Sequence, residues 1–392
     1  MKADIKELKP RVAREVDTRG DELRELSLKI HSNPELGFKE EQASVWLTRY
    51  LESNGFSIER GICQLPTAFR AEYGQGKPVI AVLAEYDALP GLGHACGHNL
   101  IAASAVGAAV AARAAIDSCG GSMVVIGTPA EELYGGKAIM AERGAFDNLD
   151  AVMMIHPGMS DVATTRSLAL HALDVEFFGQ PSHAAADPEK GVNALEAMIL
   201  SFNAINSLRQ HIEDSARVHG IITDGGQAAN VVPDHSAGTF LVRAKSDAYL
   251  EELKQRVIAC FAGAAQATGT RLEYRWADIR YAFLRNNLAL ARLFQQNMIS
   301  LGREVELDDP DRILGSTDMG NVTQVAPGIH AMVAIAPADA VLHSVQFARA
   351  AASETGIRAL MDSAKTMAMT VVELVANPKV LSEIKNEFQK EK

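Results

Sequence analysis

Several apolar, strand-like runs in this chain end on residues that bind metal ions, and this narrows the folds open to it more than any other feature. Val79-Ile80-Ala81-Val82-Leu83-Ala84 leads into Glu85-Tyr86-Asp87 and then into His94-Ala95-Cys96-Gly97-His98. Met123-Val124-Val125-Ile126 leads into Gly127-Thr128-Pro129-Ala130-Glu131-Glu132, Ala151-Val152-Met153-Met154-Ile155 stops at His156, and Ala331-Met332-Val333-Ala334-Ile335 is followed by His343. In an open α/β sheet the carboxyl ends of neighbouring strands face one crevice, so residues far apart in the chain can meet there. A thiolate, imidazoles and a carboxylate form a donor set that suits zinc and its neighbours.

The order of elements points to a discontinuous domain. Residues from about 21 to 54 read as two amphipathic helices separated by Ser32-Asn33-Pro34, and strand and helix then alternate through His156. Such alternation predicts an α/β domain with a mainly parallel sheet and helices on both faces. The pattern changes near Ser167. A strand over 168–177, a helix over 193–210, extended runs over 218–222 and 236–243, a helix over 247–268 and a strand over 271–276 follow. This βαββαβ order predicts an α+β ferredoxin-like insert. The expected division is a metal-binding domain of residues 1–166 and 285–392, interrupted by a second domain of 167–284.

With 392 residues, two domains are the natural expectation. A net charge of −11 argues against nucleic acid or an anionic membrane as partner. The longest weakly polar stretch, 100–116, is mostly alanine and contains Arg113, so it reads as a buried helix rather than a membrane span. Cys63, Cys96, Cys119 and Cys260 form no C-x-x-C pair, and the first 35 residues lack the apolar core of a signal peptide. A cytoplasmic location is expected.

Cys96 and His98 lie just ahead of a helix that begins near Asn99, whose N-terminus is expected to lower the thiol pKa. Taken singly, either residue reads equally well as a buried hydrophobe or a structural histidine. The comparable placement of Glu132, His156 and His343 favours a ligand set. Two adjacent carboxylates after a buried strand are costly. If Glu132 binds metal, Glu131 is left to act as general base on an activated water. A solvated first helical turn is the plainer reading of the pair. His94, His171, His211, His219, His235 and His330 read as structural, with His94 held open because it lies two residues before Cys96.

The motifs together resemble the aminoacylase/carboxypeptidase family of dinuclear metallohydrolases, metallopeptidase family M20, over essentially the whole chain. They are similar to its amidohydrolase subfamily D, which includes auxin-conjugate hydrolases, aminobenzoyl-glutamate hydrolases and the mammalian dipeptidase-like aminoacylase. The carriers are Glu85 to Pro90, Gly93 to Asn99, Gly127 to Glu132, His156-Pro157-Gly158, Gly179 to Ala184, Asn230 to Pro233 and Ser316 to Asn321.

The resemblance implies that Cys96, His98, Glu132, His156 and His343 hold two divalent metal ions, zinc or manganese, with Glu131 as general base. It implies that the insert is a lid and dimerisation domain, and that His183 steadies the oxyanion in the partner subunit of a homodimer. Asn230 is expected to orient substrate, and Arg243 to grip a substrate carboxylate. Arg243 reads equally as a surface ion pair. Where many relatives place a histidine ligand this chain has Glu85, so Asp87 is expected to serve catalysis by orienting a ligand. Asn99 stands where subfamily members often have Asp. It tilts the resemblance toward the aminobenzoyl-glutamate and dipeptidase-like branch and removes a charge expected near the metals.

The implied activity is hydrolysis of the amide bond of a small-molecule N-acyl or N-aroyl amino acid or a small dipeptide. Alternatives are release of ammonia from a small aromatic substrate at the same site, nucleophilic catalysis by Cys96, and a non-catalytic binding protein on the same fold.

Overall fold

A computed structural model describes residues 4–308 and 315–390. The chain divides into two compact units, one built from described residues of 4–166, 284–308 and 318–390, the other from 167–283 and 315–317.

The first unit holds a six-stranded sheet. Its strands are β1 (Ser57–Arg60), β2 (Phe69–Gln75), β3 (Val79–Ala84), β4 (Gly121–Gly127) and β5 (Ala151–Gly158). Strands β6 (Ala169–Phe178), β7 (Arg217–Asp224), β8 (His235–Ala244) and β9 (Arg271–Tyr281) belong to the second unit, and β10 (Gly328–Ala334) returns to the first. The six-stranded order is β1-β2-β4-β3-β5-β10. Pairings β3–β4, β3–β5 and β5–β10 are parallel, while β1 and β2 form an antiparallel edge.

Strands β3, β4 and β5 are continuous apolar runs buried along nearly their whole length, as parallel strands covered on their faces require. The helix His98–Cys119 packs against them. Its alanines and Gly107 keep its surface low, and a Cβ at Gly107 would meet Leu23 at 2.7 Å. This described helix is long and apolar enough to cross a membrane, but 89% of its most apolar window is buried inside the protein. It starts from Gly97 in the left-handed conformation (φ 79°), where a Cβ would meet the ring of Pro157 at 2.7 Å. Only glycine serves both demands.

The second unit is a four-stranded antiparallel sheet of order β7-β8-β6-β9. With helices Ala194–Leu208 and Asp247–Thr268 inserted after its first and third strands, this is the ferredoxin-like arrangement expected from the βαββαβ order. Its core includes Phe177, Phe240 and Phe261, with the Phe240 and Phe261 rings edge-on at 4.9 Å.

Candidate metal centre

The carboxyl ends of β3, β4, β5 and β10 supply the candidate site. Beyond β3 the chain buries Glu85 and Asp87. Asp87 Oδ1 lies 3.0 Å from His98 Nδ1, and its main-chain oxygen lies 2.9 Å from the same atom. His156 places Nδ1 2.8 Å from the Pro157 carbonyl. Both rings face oxygen acceptors through Nδ1, which favours a proton there and makes Nε2 the atom that would give up its proton, where it carries one, and bind a cation.

Two groups of ligand atoms form, with all members of each within 4.8 Å of one another: Cys96, His98 and His156, and Cys96, Glu132 and His343. Cys96 belongs to both. Its Sγ is 3.3 Å from His156 Nε2, and Glu132 Oε2 is 3.5 Å from His343 Nε2. A third group joins His98, Glu131 and Glu132. His98 Nε2 and Glu132 Oε1 are buried without a hydrogen-bond partner. Buried polar atoms normally find partners, so orphans converging with a thiol and imidazoles fit a divalent cation held by nitrogen, sulfur and oxygen.

Two ligand-bearing turns use uncommon backbone. Ala130, just before Glu131, and His343 have φ of 61° and 59°, a costly region for residues with a Cβ. The His343 N–H reaches the Ala95 carbonyl at 3.2 Å. This ties the late segment to the Cys96 loop.

Electrostatics corrects one expectation. Burial, with Glu132 adding to it, pushes the Cys96 thiol well above its usual value. Desolvation therefore outweighs the helix N-terminus in the metal-free protein, and cation binding must supply the drive to form thiolate. Burial opposes charge on His98, yet Asp87 and Glu85 raise it well above the usual imidazole value. Burial lowers His156 to about 4. Burial also opposes charge on Asp87, but His98 holds its carboxyl below the usual range. Glu131 is pushed well above the carboxylate range by burial and by the charges of Asp318, Glu85 and Glu132.

Lys137 escaped the sequence reading. After Gly135-Gly136 it resembles a surface lysine, but it is fully buried. Its Nζ contacts Glu85 and lies 2.9 Å from Asp318 Oδ1, and its backbone N–H reaches Asp318 Oδ2 at 2.8 Å. Burial disfavours its charge, but Asp318 and Glu85 hold the ammonium above its ordinary value. Glu85 thus places one oxygen on Lys137 and the other 3.4 Å from His98 Nε2.

The Asn99 amide nitrogen donates to Ser27 Oγ and the Ala351 carbonyl, and its Oδ1 is buried without a hydrogen-bond partner. His94 is buried, and burial lowers it to about 3. It lies outside the three groups.

The remaining candidates lie in the second unit. His183 is exposed, and its Nδ1 accepts the Ala185 and Ala186 amides at 3.2 and 3.1 Å. That fixes the proton on Nε2 and makes Nε2–H the outward donor. The Asn230 carbonyl accepts the Ala184 amide at 3.0 Å, and His183 bridges to Val231. These two candidates therefore share one loop pair. Arg243 on β8 has a buried Nε without a partner and forms no ion pair among the described residues.

The family model for peptidase family M20/M25/M40 matches residues 81–370. The chain is 39% identical to the Xaa-Arg dipeptidase of Mus musculus, over 99% of this chain and 93% of that one. It is 31% identical to a component chain of the p-aminobenzoyl-glutamate hydrolase of Escherichia coli K12, over 92% and 90%. A dinuclear metal-binding peptidase of the M20 family from Bacillus subtilis shares the fold with a TM-score of 0.72 at 21% identity, covering 92% of this chain and 99% of that structure. With its sequence matched to that family along most of its length, and with hydrolases among its relatives, the chain belongs to peptidase family M20/M25/M40 and hydrolyses C–N amide bonds.

Proposed function

We propose that the chain is a metal-dependent amidohydrolase cleaving an N-acyl or N-aroyl amino acid or a small dipeptide. The observation that carries the reading is that two ligand groups share Cys96 while Glu131 joins the third, beside both. The relatives named for Xaa-Arg dipeptides and p-aminobenzoyl-glutamate act on substrates that share an amide followed by an amino-acid carboxylate.

Cys96, His98, Glu132, His156 and His343 would hold two divalent ions, zinc or manganese, which when bound supply Lewis acidity at the scissile carbonyl and ease deprotonation of water. Glu131, whose carboxylate form the two bound cations would favour over the protonated form of the metal-free protein, takes the proton of the attacking water and passes it to the leaving nitrogen, so that amide and water become carboxylic acid and amine. Asp87 keeps the His98 ring turned. His183 Nε2–H suits an oxyanion, and we assign it to the active site of a partner subunit in a homodimer formed through the second unit. Asn230 and Arg243 are assigned to the substrate, the Arg243 guanidinium to its carboxylate.

The test is hydrolysis of a panel by protein reconstituted with zinc or manganese, with and without chelator. The panel holds dipeptides ending in arginine, p-aminobenzoyl-glutamate, N-acetyl and N-benzoyl amino acids and an indole-acetyl conjugate. Chelator-sensitive amine release from one class supports the reading. Turnover that survives complete metal removal would point to Cys96 as nucleophile. Silence across the panel with metal bound would favour ammonia release from another substrate.

A further inference from the structure

The segment bearing Glu131 and Glu132 is tied down through its own backbone by buried carboxylates. The Ala130 N–H donates to Glu40 Oε1 at 2.9 Å, and the Glu132 N–H donates to Asp87 Oδ2 at 3.1 Å. Glu131 therefore sits between two amides, each fixed by a carboxylate from elsewhere in the unit. Glu40 is fully buried, and its second oxygen accepts the Thr67 hydroxyl at 2.9 Å. Its main-chain carbonyl accepts the Ser44 N–H at 3.1 Å, so the residue is anchored at the start of the helix Glu41–Ser53.

Two features make this turn sterically demanding. Ala130 is left-handed at φ 61°, which carries a steric cost for a residue with a Cβ. The chain also closes tightly on itself, because a Cβ on Gly136 would lie 1.7 Å from the Pro129 carbonyl oxygen. A buried carboxyl oxygen that accepts an amide makes a directional bond, and its loss would leave that amide unpaired. Glu40 supplies that bond at the one residue whose dihedral angle aims Glu131.

We propose that Glu40 is a positioning residue for catalysis. By gripping the Ala130 amide it holds the left-handed turn that presents Glu131 to the reaction centre and Glu132 to the metal. The inference rests on Glu131 acting as the base.

The experiment compares Glu40→Met, Glu40→Gln, and Glu40→Met combined with Ala130→Gly. Kinetics are measured on alanyl-arginine and p-aminobenzoyl-glutamate, alongside zinc affinity by competition with a chromophoric chelator and thermal unfolding. Met fills similar volume but accepts no hydrogen bond, whereas Gln keeps an acceptor. Glycine adopts the left-handed conformation without strain.

Glu40→Met should lower kcat by about tenfold to a hundredfold, the scale of an ångström-sized misplacement, with KM within about twofold, and should weaken zinc binding through Glu132. Gln should retain most of both. Adding Ala130→Gly to Glu40→Met should recover a large part of each loss even where the melting temperature stays low.

A folded Glu40→Met protein with native kcat and native zinc affinity would overturn the inference. So would losses that track melting temperature alone and ignore Ala130→Gly. If Glu40→Met fails to fold, Glu40→Asp, which retracts the carboxylate by one methylene, undergoes the same measurements. Native turnover by Glu131→Gln would instead sink the assignment of the base. An inactive Glu131→Gln beside a fully active Glu40→Met sinks only the positioning role.

Discussion

Asp87 holds His98 twice through the same ring nitrogen, with Oδ1 at 3.0 Å and its own carbonyl at 2.9 Å from Nδ1. Its other carboxylate oxygen takes the Glu132 amide. One side chain thus orients two ligand-bearing residues. Asp87→Ala should weaken zinc or manganese affinity by about 10- to 100-fold, measured by chelator competition. Unchanged affinity would mean that the carbonyl alone sets the ring.

Glu131→Gln removes the base while keeping shape. Metal content measured by elemental analysis should stay near that of the native protein, and kcat should fall by about 10²- to 10⁴-fold. A variant that loses its metal instead would recast Glu131 as a ligand.

Lys137→Met would leave Glu85 and Asp318 buried without their shared cation. Breaking a buried pair from one side costs about 3–5 kcal/mol, so urea unfolding should show a loss of that order. Combining it with Glu85→Gln should return part of the loss, because the uncompensated charge falls. If Lys137→Met alone unfolds at the native urea concentration, the ammonium is not what stabilises these carboxylates.

Burial pushes the Glu40 carboxyl up to about 7. A raised folded value means that the protonated form is favoured in the native state. Its contribution is therefore fully present below the ordinary carboxylate range and is lost as pH rises through about 7. The melting temperature of the native protein should fall relative to Glu40→Gln between pH about 5 and about 8. A constant difference across that range would refute the shift.

The alternation of apolar runs and helices was enough to read the parallel strands β3, β4, β5 and β10, because continuous burial leaves a continuous apolar pattern. The βαββαβ insert was equally readable, and the helix Asp247–Thr268 falls where its spacing predicts. The antiparallel edge was not. Ser57–Arg60 is short and largely exposed, and Phe69–Gln75 loses its buried alternation halfway. At the site, residue types at strand ends pointed to the ligand groups. Lys137 and Glu40 stayed hidden because charged residues beside glycines or at a helix start look solvent-facing, and only distant segments reveal that they are enclosed. Asn99 pointed to the branch in which the Xaa-Arg dipeptidase and p-aminobenzoyl-glutamate hydrolase relatives lie, but its amide contacts with Ser27 and Ala351 join distant segments and leave no local pattern.

Strand β10 pairs in parallel with β5, yet the whole second unit is encoded between them. During synthesis the outer edge of β5 must therefore wait, with its hydrogen-bonding groups unmatched, while that unit emerges. At about 5–20 residues per second the wait lasts on the order of ten seconds. An apolar strand with an open edge invites association with other chains. Ribosome-bound chains halted before β10 should aggregate more readily than chains halted after it.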